Sequence, residues 1–203
     1  MAPKVSEEYK EKKRQDLLKS AMACFAEKGY QTATIDDIVT HSGMSKGAFY
    51  NYFSSKEEIY LTLLKQSVYL SFQKLREAIQ SKETAKEKLK HVFDIYSNLD
   101  FTKKSIQNHR VQIEFWIIAS RNDNLIDHMK THAKVFHDFL IEIIEEGQKK
   151  SEFSKDIKSA DVSEIFWAIT DGLFLHMLVE KDEFPMKRLY QTAGKMILKY
   201  LEK

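Results

Sequence analysis

Backbone breakers are nearly absent from this sequence: two prolines, Pro3 and Pro185, and six glycines are spread over 203 residues. A chain so rarely interrupted reads as long helices rather than short strands joined by tight turns. The apolar pattern agrees. From Arg14 to Lys28, residues Leu17, Leu18, Ala21, Met22 and Phe25 recur at helical spacing, and Gly29 follows as a natural stop. Cys24, inside this helix, reads as a small buried hydrophobe, and a single cysteine excludes an intramolecular disulfide framework.

Two short helices come next. Thr34 is a capping residue, with Asp36 and Asp37 suited to the positive end of the helix that carries Ile35, Ile38 and Val39. Ser42-Gly43-Met44 breaks it, and Ser45 can cap a second helix over Lys46 to Phe53. Ser54-Ser-Lys-Glu57 reads as a capping box that starts a longer helix reaching about Gln80. The remaining pattern predicts helices over Ala85–Asn98, Lys104–Arg121, Asp123–Glu146, Asp161–Glu180 and Met186–Glu202. Gly147 is expected to end the third of these, and Pro185 to open the last.

The hydrophobic fraction of 43% supports a substantial core, and charged residues make up 31%. No stretch reaches the run of about 18 apolar residues expected of a membrane span. The start of the chain, with Lys4, Glu7, Glu8 and Lys10, lacks the apolar region of a signal peptide. The cytoplasm is the expected location, with no membrane partner. The net charge is only +2, so any nucleic-acid contact rests on local placement. Lys10, Lys12, Lys13 and Arg14 form the densest basic cluster, either a solvated helix start or an arm lying near phosphates.

Two short helices with a glycine in the turn between them fit a helix-turn-helix, whose second helix enters the major groove by its N-terminal end. Ser45-Lys46-Gly47-Ala48 supplies small and polar residues at that end. A glycine inside a helix costs about 1 kcal/mol against alanine, which is reasonable where a side chain would strike DNA. Phe49 and Phe53 lie one turn apart and can anchor the helix, leaving Tyr50 to face phosphates, sugars or a thymine methyl.

The run Thr34-Ile-Asp-Asp-Ile38 … Gly43-Met-Ser-Lys-Gly-Ala-Phe-Tyr-Asn-Tyr-Phe53 … Lys56-Glu57 resembles the signature of the TetR family of bacterial regulators. Phe25-Ala-Glu-Lys-Gly-Tyr30 is similar to that family's first-helix ending, and the likeness covers about Arg14 to Leu64. The resemblance implies an all-α protein of about nine helices, working as a homodimer. It implies a DNA-binding helix-turn-helix domain over 1–56, with helix 4 from about 55 linking to an effector-binding and dimerisation domain over 57–203. It implies phosphate contact at Thr34 and Lys56, a recognition-helix start at Ser45, Lys46 and Gly47, and backbone or base contact at Tyr50 and Tyr52. Many members have histidine where Tyr52 stands, which leaves that contact open, and Asn51 reads either as a base contact or as a solvent-facing residue.

The C-terminal part is rich in aromatics. Phe93, Tyr96, Phe115, Trp116, Phe136, Phe139, Trp167 and Phe174 read individually as core, and the resemblance implies that such residues collectively line an effector pocket. Glu114, inside the apolar run Val111 to Ala119, faces solvent or a basic neighbour, or else sits in the pocket and favours a cationic ligand. A small apolar or cationic effector is expected.

The helix over Asp161–Glu180 is apolar nearly all round and must be buried on two sides. The family pairs its last two helices into a four-helix bundle, which makes Ile165, Phe166, Ile169, Leu173, Met196, Ile197 and Tyr200 the expected dimer interface. His128 and His132 have metal-ligand spacing, with His137 beyond, but no carboxylate or cysteine set accompanies them. No cofactor, metal or catalytic residue is expected, because no nucleophile elbow or phosphate-cradling glycine loop is present. The reading is therefore a repressor released from a palindromic operator by a small molecule. A sensor whose helix-turn-helix no longer binds DNA, and an enzyme using the histidines, stand as alternatives.

Overall fold

In a computed structural model the chain is described over residues 6–99, 102–180 and 183–202; residues 1–5, with Pro3 and Lys4, lie outside. The described residues form nine helices and no strand: α1 Glu7–Lys28, α2 Ile35–Ser42, α3 Lys46–Tyr50, α4 Lys56–Ile79, α5 Ala85–Ser97, α6 Lys103–Ala119, α7 Asp123–Lys149, α8 Ser159–Glu180 and α9 Met186–Leu201.

Several boundaries differ from the sequence reading, and three of the differences have a clear physical reason. Helix α1 begins a full two turns before Arg14, because the Ser6 hydroxyl accepts the Tyr9 amide at 3.2 Å and so caps it. The basic cluster thus lies within α1, where Lys10 pairs with Glu7 at 2.7 Å and Lys13 sits over the Tyr9 ring. Helix α3 closes at Tyr50, and Asn51 to Phe53 complete it as turns whose amides bond back to Ala48 and Phe49. Gly147 does not end α7. It lies inside the helix, where a Cβ would run into the Phe153 ring and come within 2.9 Å of the Ala85 Cβ. Close approach, not a left-handed turn, is what requires glycine there.

The helices pack as two compact units, one made of the described residues of 1–68 and 102–128, the other of those of 69–99 and 129–202. This division groups α6 with the N-terminal helices, and α4 and α7 have residues in both units.

The core of the first unit is Leu17, Leu18, Phe25, Tyr30, Ile38, Phe49, Phe53, Ile59 and Phe115. Burying such a side chain is worth about 1.5–3 kcal/mol. A five-residue helix has no stability of its own, so α3 exists because Phe49, fully buried, fastens it to this core. Cys24 is buried here, and burial pushes its thiol pKa up, consistent with a packing role.

In the second unit α5 packs along α9, so closely that a Cβ at Gly194 would lie 2.9 Å from the Phe93 ring. By length and composition alone α8 could cross a membrane, with a mean hydropathy of 1.4 in its most apolar window. Here its Phe166, Thr170, Phe174 and Met177 row is core, while Ile165, Leu175 and Val179 are exposed.

Candidate nucleic-acid interface

Helix α2 is set by a reciprocal cap. The Thr34 hydroxyl accepts the Asp37 amide at 3.1 Å, and the Asp37 carboxylate accepts the Thr34 amide and hydroxyl at 2.9 Å each. Lys28, on the last turn of α1, pairs with the same carboxylate at 2.6 Å. These bonds, Lys28 foremost, hold the Asp37 pKa down to about 2.

The turn after α2 is a Schellman motif. The Met44 amide bonds to the Val39 carbonyl and the Gly43 amide to Thr40. Gly43 has φ of 68°, in the left-handed region, with open space around it, so backbone conformation alone selects glycine. Ser45 then caps α3 by accepting the Ala48 amide at 3.2 Å.

What α3 shows to solvent follows from this geometry. Phe49 is wholly buried against Phe53, so Ser45, Lys46, Gly47 and Tyr50 face outward, Tyr50 at 50% exposure with its ring edge-on to Phe49. A Cβ at Gly47 meets nothing within 4 Å; the protein itself would accept a side chain there. Asn51 is exposed and Tyr52 half-buried. Lys46 is paired across the turn with Asp36, ammonium to carboxylate at 2.8 Å, which raises the lysine pKa. Arg14 lies over the Phe53 ring at 5.1 Å.

Lys56 stands differently. Its ammonium donates to the carbonyls of Tyr30, Gln31 and Ala33 at 2.8, 3.1 and 2.8 Å, and burial lowers its pKa. The start of α4 is capped one residue later than the sequence pattern suggests: Ser55 accepts the Glu58 amide, and the Glu58 carboxylate takes the Ser54 amide and hydroxyl.

The candidate pocket residues fall in both units. Glu114, Phe115 and Trp116 belong to the first. Glu114 accepts the Tyr30 amide at 2.7 Å, and Phe115 is fully buried, stacked on Tyr60 at 3.9 Å. In the second unit, Tyr96, Phe166 and Trp167 pack edge-to-face at 5.0–5.7 Å, with Phe93 on Phe166 and Phe136 on Trp167. Phe139 meets Phe72, and Phe174 is buried. The buried Trp167 indole N–H has no hydrogen-bond partner among the described residues, and the buried hydroxyls of Thr170 and Tyr190 lie close to one another.

Helices α8 and α9 leave an apolar groove of about 490 Å3 between Ile165, Ile169 and Leu173 on one side and Met196, Ile197 and Tyr200 on the other. Ile165, Met196 and Tyr200 are about half or more exposed, Ile197 forms the groove floor at 7%, and Phe166 turns away from it into the core at 2%. Among the described residues no three His, Cys, Asp or Glu side chains come together as a metal site. His137 instead meets Ser163 at 3.2 Å.

A capped short helix, a left-handed glycine turn and a second helix with small, polar and aromatic groups outward can enter a DNA groove. Residues 17–63 match the family described as bacterial regulatory proteins, tetR family, and residues 85–202 match that of the BetI-type transcriptional repressor, C-terminal. YfiR of Bacillus subtilis, an HTH-type transcriptional regulator itself uncharacterized, is 25% identical over 183 residues, 90% of this chain and 88% of its own. A transcriptional regulator of Saccharomonospora viridis solved in complex with choline superposes with a TM-score of 0.77 at 21% identity, covering 92% of this chain and 96% of that one. FadR of Bacillus subtilis in complex with stearoyl-CoA gives 0.74 at 19% identity, covering 92% and 98%.

Proposed function

The chain is a transcriptional regulator of the TetR family, and from that premise we propose that it acts in the cytoplasm as a homodimeric repressor released from a palindromic operator by a small molecule. The observation that carries the DNA-binding half is the outward face of α3. Phe49 fixes the helix while Ser45, Lys46, Gly47 and Tyr50 stay free of the core. In this reading Tyr50 packs on sugar or base, Lys46 and Thr34 meet phosphates, and Asn51 and Tyr52 flank them. The bare backbone at Gly47 lets α3 approach closely.

The apolar α8–α9 groove supports a dimer through those helices, since an exposed apolar face of this kind is stabilised by a second copy. Two recognition helices would then read successive major grooves about one turn apart.

For the effector, the second unit offers an aromatic interior that holds the unpaired Trp167 indole N–H. It also offers Asp171, solvent-accessible yet pushed up to about 6 by the protein around it, close enough to Tyr96 and Tyr190 to act on both. An apolar or cationic molecule suits that environment; of the molecules bound by the two structural neighbours, choline is a cation and stearoyl-CoA carries a long apolar chain on an anionic carrier. Release needs only that the effector bind one arrangement of the dimer better than the other.

The test is a duplex recovered by the wild-type protein from a random-sequence library, titrated against wild type, Lys46→Ala and Tyr50→Ala. Weakened binding by both variants with the fold retained supports the α3 assignment, and wild-type affinity in both refutes it. Choline and stearoyl-CoA, added to the complex, probe the two effector classes.

A further inference from the structure

Resting on the DNA-binding reading, we propose that Lys56 and Glu114 are positioning residues: together they clamp the turn over 29–33 and thereby set α2 and α3 for DNA, instead of contacting phosphate or effector themselves.

The lysine side of the clamp is complete. An ammonium has three protons, and the Lys56 ammonium faces three carbonyls of one turn, those of Tyr30, Gln31 and Ala33, at 2.8, 3.1 and 2.8 Å. Lys56 is also the first residue of α4, where a cation opposes the helix dipole. Its place there is explained by those carbonyls, which surround the charge with oxygen. A phosphate would have to displace them.

The carboxylate side comes from α6, 84 positions further along the chain. Glu114 accepts the Tyr30 amide at 2.7 Å and lies against Gly29, where a Cβ would stand 2.9 Å from the carboxylate oxygen. Gly29 therefore answers two demands, a φ of 81° and room for Glu114. The turn thus has its carbonyls held from α4 and an amide held from α6.

The Tyr30 ring completes the joint. It lies edge-on to Phe115 at 5.0 Å and to Tyr60 at 5.1 Å, and Lys56 sits 4.7 Å above it. The turn ends at Ala33, buried at 1%, immediately before the Thr34 cap that starts α2. Any shift of α6 against α1 would loosen the Tyr30 amide and change where α2 begins. All of these groups belong to the first unit.

The experiment uses the intact protein and a duplex that wild type selects from a random-sequence library. Affinity is measured over a range of salt for Lys56→Met, Glu114→Leu, Glu114→Gln and the Lys56→Met/Glu114→Leu double variant. Hydrogen exchange at the Tyr30 amide is followed in parallel. A clamp predicts about tenfold weaker binding for Lys56→Met and for Glu114→Leu, with the salt slope of wild type. It predicts recovery in Glu114→Gln, which keeps an acceptor, and a double variant little worse than either single one. The Tyr30 amide exchanges faster in both single variants.

A Lys56→Met slope reduced by about one phosphate would mean that the lysine touches DNA and would overturn the proposal. So would additive effects, or Glu114→Leu binding like wild type. If wild type selects no duplex, the DNA-binding reading fails separately, and unchanged Tyr30 exchange in both variants still refutes the clamp.

Discussion

Asp36 and Lys46 meet across the turn between α2 and α3, carboxylate to ammonium at 2.8 Å, with both side chains more than half exposed. In the proposed DNA-binding reading Lys46 meets a phosphate, so its charge is partly neutralised by its own protein. Asp36→Asn is expected to tighten duplex binding at low salt, with the gain shrinking as salt rises, because exposed pairs are screened. Fluorescence anisotropy over a salt series checks this. Weaker binding by the variant would show that Asp36 instead orients Lys46 for contact.

Phe49 and Tyr50 are neighbours with opposite duties. Phe49→Ala removes the buried anchor of α3 and should cost about 3–5 kcal/mol of stability. Tyr50→Ala removes an exposed ring and should lie within about 0.5 kcal/mol of wild type, yet lose duplex affinity. Chemical denaturation alongside duplex titration separates the two outcomes.

Strong acid should weaken the Lys28–Asp37 pair. The Asp37 carboxyl is held down to about 2 in the folded protein, below the ordinary 3.8. Its contribution is therefore fully present above about pH 4 and is lost as pH falls through about 2. Asp37→Asn should be less stable than wild type at neutral pH, and the difference should vanish toward pH 2. Circular dichroism melts across that interval read it directly; a constant difference would assign the effect to the Thr34 cap geometry and not to charge.

The α8–α9 groove predicts a division between variants that dissociate the protein and variants that unfold it. Ile165→Lys and Met196→Glu place charge on exposed groove residues and should yield folded monomers in analytical ultracentrifugation. Ile197→Ala should lower stability by about 2–5 kcal/mol, since that side chain is mostly buried within one chain. Dimers persisting in both charged variants would place the interface elsewhere.

Local features of this protein were readable from residue order, and long-range ones were not. Thr34 and Asp37 are three apart, so the cap of α2 is visible in the sequence and present in the structure. Helix α1 extends further than its apolar spacing because its first two turns are charged and held by the Ser6 cap and an i,i+3 pair. Gly147 reads as a helix end by sequence because helices often close at a glycine; its partner Phe153 reveals the packing reason only in three dimensions. Glu114 carried a signal, a carboxylate inside an apolar run, but nothing nearby in sequence points to Tyr30. Lys56 resembles a phosphate ligand by position, yet its ammonium is engaged by a turn more than twenty residues upstream.

The most direct test of the account is selection from a random-sequence duplex library by the purified wild-type protein. Enrichment of an inverted repeat, with half-sites about one helical turn apart, bound by a dimer and weakened in Tyr50→Ala, is the predicted result. A folded protein that enriches no sequence, and binds no duplex even at low salt, would contradict it and leave a sensor whose helix-turn-helix does not bind DNA.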